Sequence, residues 1–374
     1  MKITRRTFLR TTLATGALFM GAGSVLSACS GVKRSDLDLP EGSFETVAGL
    51  DQQGAAILYY ASLAPSSHNA QPWFVKVLEP GKWIVGIDPE RRLAVVDPHN
   101  REMLLSIGAF VENLSLAAGA LGYEAHTEII AREAMDQQFV AVSLVRSKPT
   151  GYPLERITSR RTVRGGFRTD ELKGKDVRAL SEPFDDRLFY YPRGTEHAQC
   201  IEEGAVEFFR AQTYRDEAQK ELREWTRLSN AEAKKYRSGL TTEGMEITGI
   251  AGWYVRTFMK AEDVMKENYR KQGIDKNTKW AAEGGGWFIL TSKGRGVVDL
   301  VETGRRFERM ALMARERNVA VHPMTQYLEE KAGLDQISKN HEQSVIPQFI
   351  LRVGYLDSYP NPVSLRRPVS WFVL

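Results

Sequence analysis

Cysteine is nearly absent: Cys29 and Cys200 are the only two in 374 residues, and there are six histidines. Two cysteines cannot build a disulfide scaffold or a cysteine-rich zinc site. The chain has no Gly-rich P-loop, no His-Glu-x-x-His, no paired Cys-x-x-Cys and no Gly-x-Ser-x-Gly elbow, so the signatures of P-loop phosphate transfer, zinc hydrolysis and elbow-type serine hydrolysis are missing. No metal is expected. Gly284-Gly285-Gly286 lacks the spacing of a dinucleotide fingerprint and precedes a strand-like run, where that fingerprint would follow one. What is present is ordinary: 42% hydrophobic and 26% charged residues, in a chain long enough for one large or two modest cores.

The formal charge of +4 resides in the first 28 residues, where Lys2, Arg5, Arg6 and Arg10 stand without an acid. Beyond them basic and acidic residues balance, so bulk charge gives no reason to expect a nucleic-acid partner. Thr4-Arg5-Arg6-Thr7-Phe8-Leu9-Arg10, followed by a modest apolar stretch over 13–26, reads as a twin-arginine export signal. Leu26-Ser27-Ala28-Cys29 resembles the lipobox of exported lipoproteins, which implies lipidation at Cys29 and a membrane-anchored protein on the periplasmic or cell-surface side. The expected organisation is a signal over 1–28, a flexible polar tether over 29–44, a first half over 45–150 and a second half over 151–374. Cys200 reads as a buried, small apolar residue.

Apolar spacing predicts a helix over 51–63 stopped by Pro65, a hairpin of Trp73–Leu78 and Trp83–Ile87 about a Pro80-Gly81 turn, an apolar helix over 103–121 and a strand over 139–145. Ser106–His126 aligns with Glu302–His322 at a constant offset of 196. The alignment matches Gly108 with Gly304, Glu112 with Glu308, Leu116 with Leu312, Ala118 with Ala314 and His126 with His322. With strand-like runs before both segments, the pattern predicts two related halves. Helical, charged segments (201–210, 216–228 and 253–271) make an insertion over about 195–280 of the second half. They are interrupted by a Gly- and Thr-rich stretch around Gly239–Gly244, which reads either as a mobile lid or as a packed elaboration.

Two constellations carry chemistry. Ala64-Pro65-Ser66-Ser67-His68-Asn69-Ala70-Gln71-Pro72-Trp73 gathers hydroxyls and amides between a helix and a strand, offering donors and acceptors to a flat heteroaromatic ring. Arg160-Arg161-Thr162-Val163-Arg164 sets three guanidinium groups together, either as a phosphate clamp or as a solvated basic loop. Arg366-Arg367 forms a second basic cluster that could converge on the same phosphate.

The Pro65–Trp73 loop resembles the signature loop of FMN-dependent nitroreductases, and Arg160–Arg164 resembles the arginine segment that opens them. The two motifs stand in inverted order, one in each half, as in the Acg-type branch, which looks like a nitroreductase dimer fused into one chain. That resemblance spans about residues 45–374 apart from the insertion. It implies an α+β nitroreductase-like fold of two related halves, each with a mixed sheet packed by helices, with a lid-like helical insertion. It further implies one FMN site in a chain expected to be monomeric. Arg160, Arg161, Thr162 and Arg164 would hold the FMN phosphate and ribityl end, joined by Arg366 and Arg367. Pro65, Ser66, Ser67, His68, Asn69 and Gln71 would reach the flavin from the other half. Pro323 and Met324 would lie beside it, with Thr325 and Gln326 at its redox edge in place of the family's Pro-x-Glu-Gly. The implied activity is ping-pong, two-electron reduction of a small aromatic or quinone-like acceptor. Export separates the chain from NAD(P)H, so the expected donor is a membrane quinol or a redox protein. The alternative is an FMN-binding or sequestering protein with an occluded flavin.

Overall fold

The structure, a computed structural model, describes residues 30–40, 42–341 and 346–374; the twin-arginine segment and Cys29 lie outside the described residues. The first half contains α1 (Gln52–Ser62), β1 (Trp73–Glu79), β2 (Lys82–Ile87), α2 (Arg101–Ala120), β3 (Tyr123–Ile129) and β4 (Gln138–Arg146). Asp51 caps α1 by accepting from the Gly54 N–H at 2.6 Å. Gly81, at φ +76°, turns the β1–β2 hairpin.

The second half contains α3 (Glu155–Ser159), α4 (Gly174–Ser181), β5 (Leu188–Pro192), α5 (Glu196–Tyr214), α6 (Asp216–Trp225), β6 (Thr226–Arg227), α7 (Asn230–Tyr236), β7 (Leu240–Thr241), α8 (Gly249–Phe258) and α9 (Glu267–Ala281). It continues through β8 (Gly286–Ser292), α10 (Val297–Glu316), β9 (Val319–Pro323), α11 (Gln326–Glu329), α12 (Lys331–Asn340) and β10 (Ile346–Tyr355). The sheets run β1-β2-β4-β3 and β5-β8-β10-β9. Each four-stranded sheet therefore has the order first-second-fourth-third, with a 20-residue helix between its second and third strands. The fold is α+β.

The two long helices α2 and α10 pack against each other at two glycines. A Cβ on Gly108 would collide with the Val301 carbonyl oxygen, and one on Gly304 with that of Leu105. These contacts are reciprocal at the offset of 196, the pattern of a two-fold interface in which residue i meets j and j meets i. Val297, Leu300 and Val301 of α10 enter the same apolar cluster as Trp73, Leu104 and Phe110, so the halves share a core. Among the described residues, α2 is the helix long and apolar enough to cross a membrane, yet it is largely buried in that core.

Four expectations are corrected. A mixed sheet in each half holds only for the first, where the C-terminal run crosses from the second half and bonds β1 in parallel at Val75 and Val373, covering an open edge. The pairings of the second sheet are all antiparallel: β8 and β9 run the same way, joined by the α10 crossover, but β10 lies between them and opposes both. The expected tether is packed over its first residues: Val32 is buried against Ala233 and Leu365, and Arg34 reaches the Thr158 carbonyl. The predicted helix over 253–271 breaks at Met259, where extended backbone leads into a 3-10 turn, Ala261–Met265. Cys200 is half-buried and lies 3.5 Å from the Asn340 amide, outside the apolar core.

Candidate active site

The Pro65–Trp73 loop leaves the end of α1 and bends sharply. His68, Asn69 and Gln71 all take left-handed backbone, with φ of 51°, 51° and 53°. Each such non-glycine residue costs on the order of 1–3 kcal/mol and persists only where surroundings hold it. Here the holding groups come from within the loop and from the second half. Ser66 Oγ accepts from the Gln71 N–H at 2.9 Å. Arg366 donates to Asn69 Oδ1 at 3.0 Å and to the Leu63 and Ala64 carbonyls at 3.0 and 3.2 Å. The Arg367 N–H donates to Gln71 Oε1 at 2.8 Å, and its guanidinium donates to the Gln71 carbonyl at 3.0 Å.

The arginine segment meets the same loop. Arg160 donates to the Leu63 carbonyl at 3.3 Å, the oxygen that Arg366 also uses, and pairs with buried Glu308 at 3.3 Å. Burial, with Arg160 and Arg34 nearby, pushes the Arg366 pKa down to about 9. Three guanidinium groups, Arg34, Arg160 and Arg366, thus gather around two carboxylates, Glu308 and Asp38. Arg161 and the Arg164 N–H both donate to one oxygen of Glu246, at 3.1 and 3.0 Å. Glu246, at φ +55°, is itself left-handed.

The segment around Gly239–Gly244 is packed onto the loop. The Gly239 N–H donates to the Asn69 carbonyl at 3.0 Å, and Gln71 Nε2 donates to the Arg237 carbonyl at 2.9 Å. Arg164 Nε donates to the Gly244 carbonyl at 3.1 Å, and Ser238, Thr241 and Thr242 are buried. Gly239 sits at φ +85° where a Cβ would strike the Trp225 carbonyl, so glycine is required there.

Pro323–Gln326 divides. Pro323 ends β9 opposite Leu351, and Met324 is buried in the core among Trp287 and Tyr327. Thr325 opens α11, and its carbonyl accepts from the Leu328 N–H at 2.7 Å. Gln326 begins that helix, and its carbonyl accepts from the Glu330 N–H at 3.3 Å. The helix delivers Glu329, which accepts from Gln212 Nε2 at 2.6 Å and shares a hydrogen bond with Glu102. Burial first, then the Glu102 charge, hold the Glu329 pKa well above the carboxylate range. Ser67 Oγ donates to Glu102, tying the loop to this pair. His68 lies within electrostatic reach of both Glu102 and Arg164, and burial pushes its pKa down to about 4. Its Nδ1 is a buried polar atom with no hydrogen-bond partner. Thr162 is half-buried within the arginine segment.

The loop, the arginine segment, the C-terminal arginines and α11 therefore converge, with Met324 as a packing residue. The sequence reading missed Glu102, Glu246 and Glu329; an acid in the first turn of a strongly apolar helix was the available signal for Glu102. It also missed the setting of His322, whose ring nitrogens lie 3.1 Å from Arg164 and 3.3 Å from Arg352. Burial first, then the two arginines, hold His322 neutral, with a pKa well below 6.5.

No protein-family profile matches the chain. It is 32% identical over 135 residues to a protein of Serratia named a probable NAD(P)H nitroreductase, PigM, a match covering 33% of this chain and 37% of that relative. It is 23% identical over 329 residues to a Mycobacterium tuberculosis protein bearing the name NAD(P)H nitroreductase acg, covering 83% of this chain and 92% of the relative. In sequence the chain is similar to proteins that bear the name nitroreductase. A solved nitroreductase structure from Anabaena variabilis aligns with 97% of its length and 89% of this chain, at 12% identity and a TM-score of 0.43.

Proposed function

We propose that this chain binds one FMN and acts in the cell envelope as a nitroreductase-type oxidoreductase, reducing a small aromatic or quinone-like acceptor by two electrons. The observation that carries this reading is the position of Glu246, whose carboxylate oxygen takes one guanidinium and one backbone N–H at the arginine segment. That donor set, beside a buried cluster with more guanidinium groups than carboxylates, suits a phosphate oxygen. The orphaned His68 Nδ1 adds a buried polar group in reach of the same segment.

In this reading Arg160, Arg161 and Thr162 bind the phosphate and ribityl end, and Ser66 to Gln71 orient the ring across the junction of the halves. The flavin, when bound, supplies the two-electron chemistry. The hydrogen-bonded Glu102 and Glu329 stand beside Ser67, and the Ser238–Glu246 segment excludes water. The repeated strand order and reciprocal glycine contact support an origin of the two halves by duplication, with one chain taking the place of a dimer. The leader supports lipidation at Cys29, and export supports a quinol or redox protein as electron donor.

The packed Ser238–Glu246 segment favours a second reading, FMN held in an occluded site with little turnover. The two readings separate when the purified protein is examined for visible flavin absorption and then mixed with NADH, NADPH and a quinol analogue. Bleaching by the quinol supports the first reading, whereas a yellow protein reduced by none of them supports the second. A colourless protein that FMN cannot reconstitute overturns both. Glu246→Ala is expected to speed FMN uptake at least several-fold by freeing the donors, while Arg161→Ala should weaken FMN retention.

A further inference from the structure

The Gly249–Phe258 helix, α8, is anomalous: Gly252 is its only buried residue. Ile250, Trp253, Tyr254 and Phe258 are exposed by 86, 40, 55 and 58%. The rings of Trp253 and Tyr254 both pack on Phe258, with centroids 5.5 and 5.3 Å away, forming one apolar ridge. A contiguous apolar patch of this kind marks an interaction site.

Its location indicates the partner. Arg256 fastens α8 to the body by donating to Thr242 Oγ1 and Glu243 Oε1, each at 3.2 Å. The same Glu243 oxygen accepts from the Gly31 N–H at 2.9 Å. Val32, the next residue, is buried against Ala233 and Leu365, so the chain is fixed where it enters the fold. Gly31 follows Cys29, the expected lipidation site, by two positions in the chain. One carboxylate thus joins the chain's acyl-anchor end to its most exposed aromatic helix.

We infer that α8 is a membrane-docking helix, lying in the lipid headgroup and acyl boundary beside the acyl chains of Cys29. Tryptophan and tyrosine suit that boundary because each offers an apolar ring with a polar edge. Lipid anchoring alone would leave the protein free to tumble on its tether; a second contact sets one face on the bilayer. The inference rests on the envelope reading above. Its consequence is that the Ser238–Glu246 segment, joined to α8 through Thr242 and Glu243, faces the membrane, where lipophilic acceptors and quinols partition.

The test uses the mature protein purified from membranes and placed in phosphatidylcholine vesicles with brominated acyl chains, which quench tryptophans in contact with lipid. The wild type should be quenched, and Trp253→Tyr should lose most of that quenching. An Ile250→Ser/Phe258→Ser variant should reduce it while keeping the folded circular dichroism spectrum, because both side chains are exposed. Equal quenching of wild type and Trp253→Tyr, or none in either, overturns the inference. So does a protein of doubled mass that the Ile250→Ser/Phe258→Ser variant returns to single mass, since a second copy would then cover α8. Intact mass reports the anchor separately: an unacylated Cys29 removes the lipoprotein reading, and quenching by added vesicles still decides the role of α8.

Discussion

Glu112 and Glu308 occupy equivalent positions in the two central helices, both fully buried, yet their partners differ. Glu112 is bound by Arg305 and Arg309 of the opposite helix, at 3.1 and 2.7 Å, and both arginines reach toward solvent. They also line a polar cavity of 360 Å³ with Glu302 and Arg306. Glu308 faces Asn113, the residue equivalent to Arg309, and takes its charge partner from outside the helix pair, Arg160 of the arginine segment. Burial pushes the Glu308 pKa up while Arg160 pulls it down. The scaffold is nearly symmetric where backbone meets backbone, at Gly108 and Gly304, and asymmetric where charge sits. Repeated close packing needs the same glycine twice, whereas a single site needs its buried cations once.

The contrast can be broken most severely at the carboxylates. Glu308→Ala leaves Arg160 buried beside Arg34 and Arg366 without its counter-charge, and should destabilise the fold by about 3–5 kcal/mol. Glu112→Ala frees two arginines that can turn to water, so its cost should be smaller, about 1 kcal/mol. Urea unfolding of both variants measures the difference, and equal losses would show that the two carboxylates do the same work. Next in size are the glycines: Gly108→Ala and Gly304→Ala should each cost about 1–3 kcal/mol through overpacking, by similar amounts. A large inequality would mean that the helix pair is less symmetric than its backbone contacts.

The smallest effect concerns the equivalent histidines. His126 stands on the surface near Glu124, whereas His322 is enclosed by Arg164 and Arg352. With its folded pKa held below 6.5, His322 contributes stability that is complete above pH 6.5 and falls as pH falls, because the unfolded chain takes up the proton first. His322→Asn should flatten the acid side of the stability profile measured by urea unfolding at several pH values. Asp97, raised to about 6 by burial first and then by Glu102, acts oppositely, its contribution fading as pH rises through 6. The comparison with the variant therefore reads a difference between profiles, not the wild-type slope.

The apolar helices, the β1–β2 hairpin and the offset of 196 were legible because each rests on local periodicity or on like residues at a fixed spacing. So were the loop and the arginine segment, since unusual density of polar groups is a local property. Glu246 was not, because nothing near it in sequence marks a carboxylate that meets Arg161 across 85 residues of chain. Glu102 and Glu329 share a hydrogen bond only because the start of α2 meets the end of α11. The tether was misread because polarity without periodicity describes both free chain and chain held by long-range contacts, such as Gly31 on Glu243.

By itself the sequence determined the α+β elements, the doubled helix, the two motifs and the placement of excess charge in the first 28 residues. These follow from residue spacing, turn chemistry and counting. Tertiary structure alone decided that the Ser238–Glu246 segment closes on the loop, that the C-terminal arginines clamp two left-handed residues, Asn69 and Gln71, and that Glu243 links Gly31 to α8. Each joins residues far apart in the chain through hydrogen bonds between buried or half-buried groups. Such bonds depend on which surfaces the packed core brings together, and no local pattern encodes that choice.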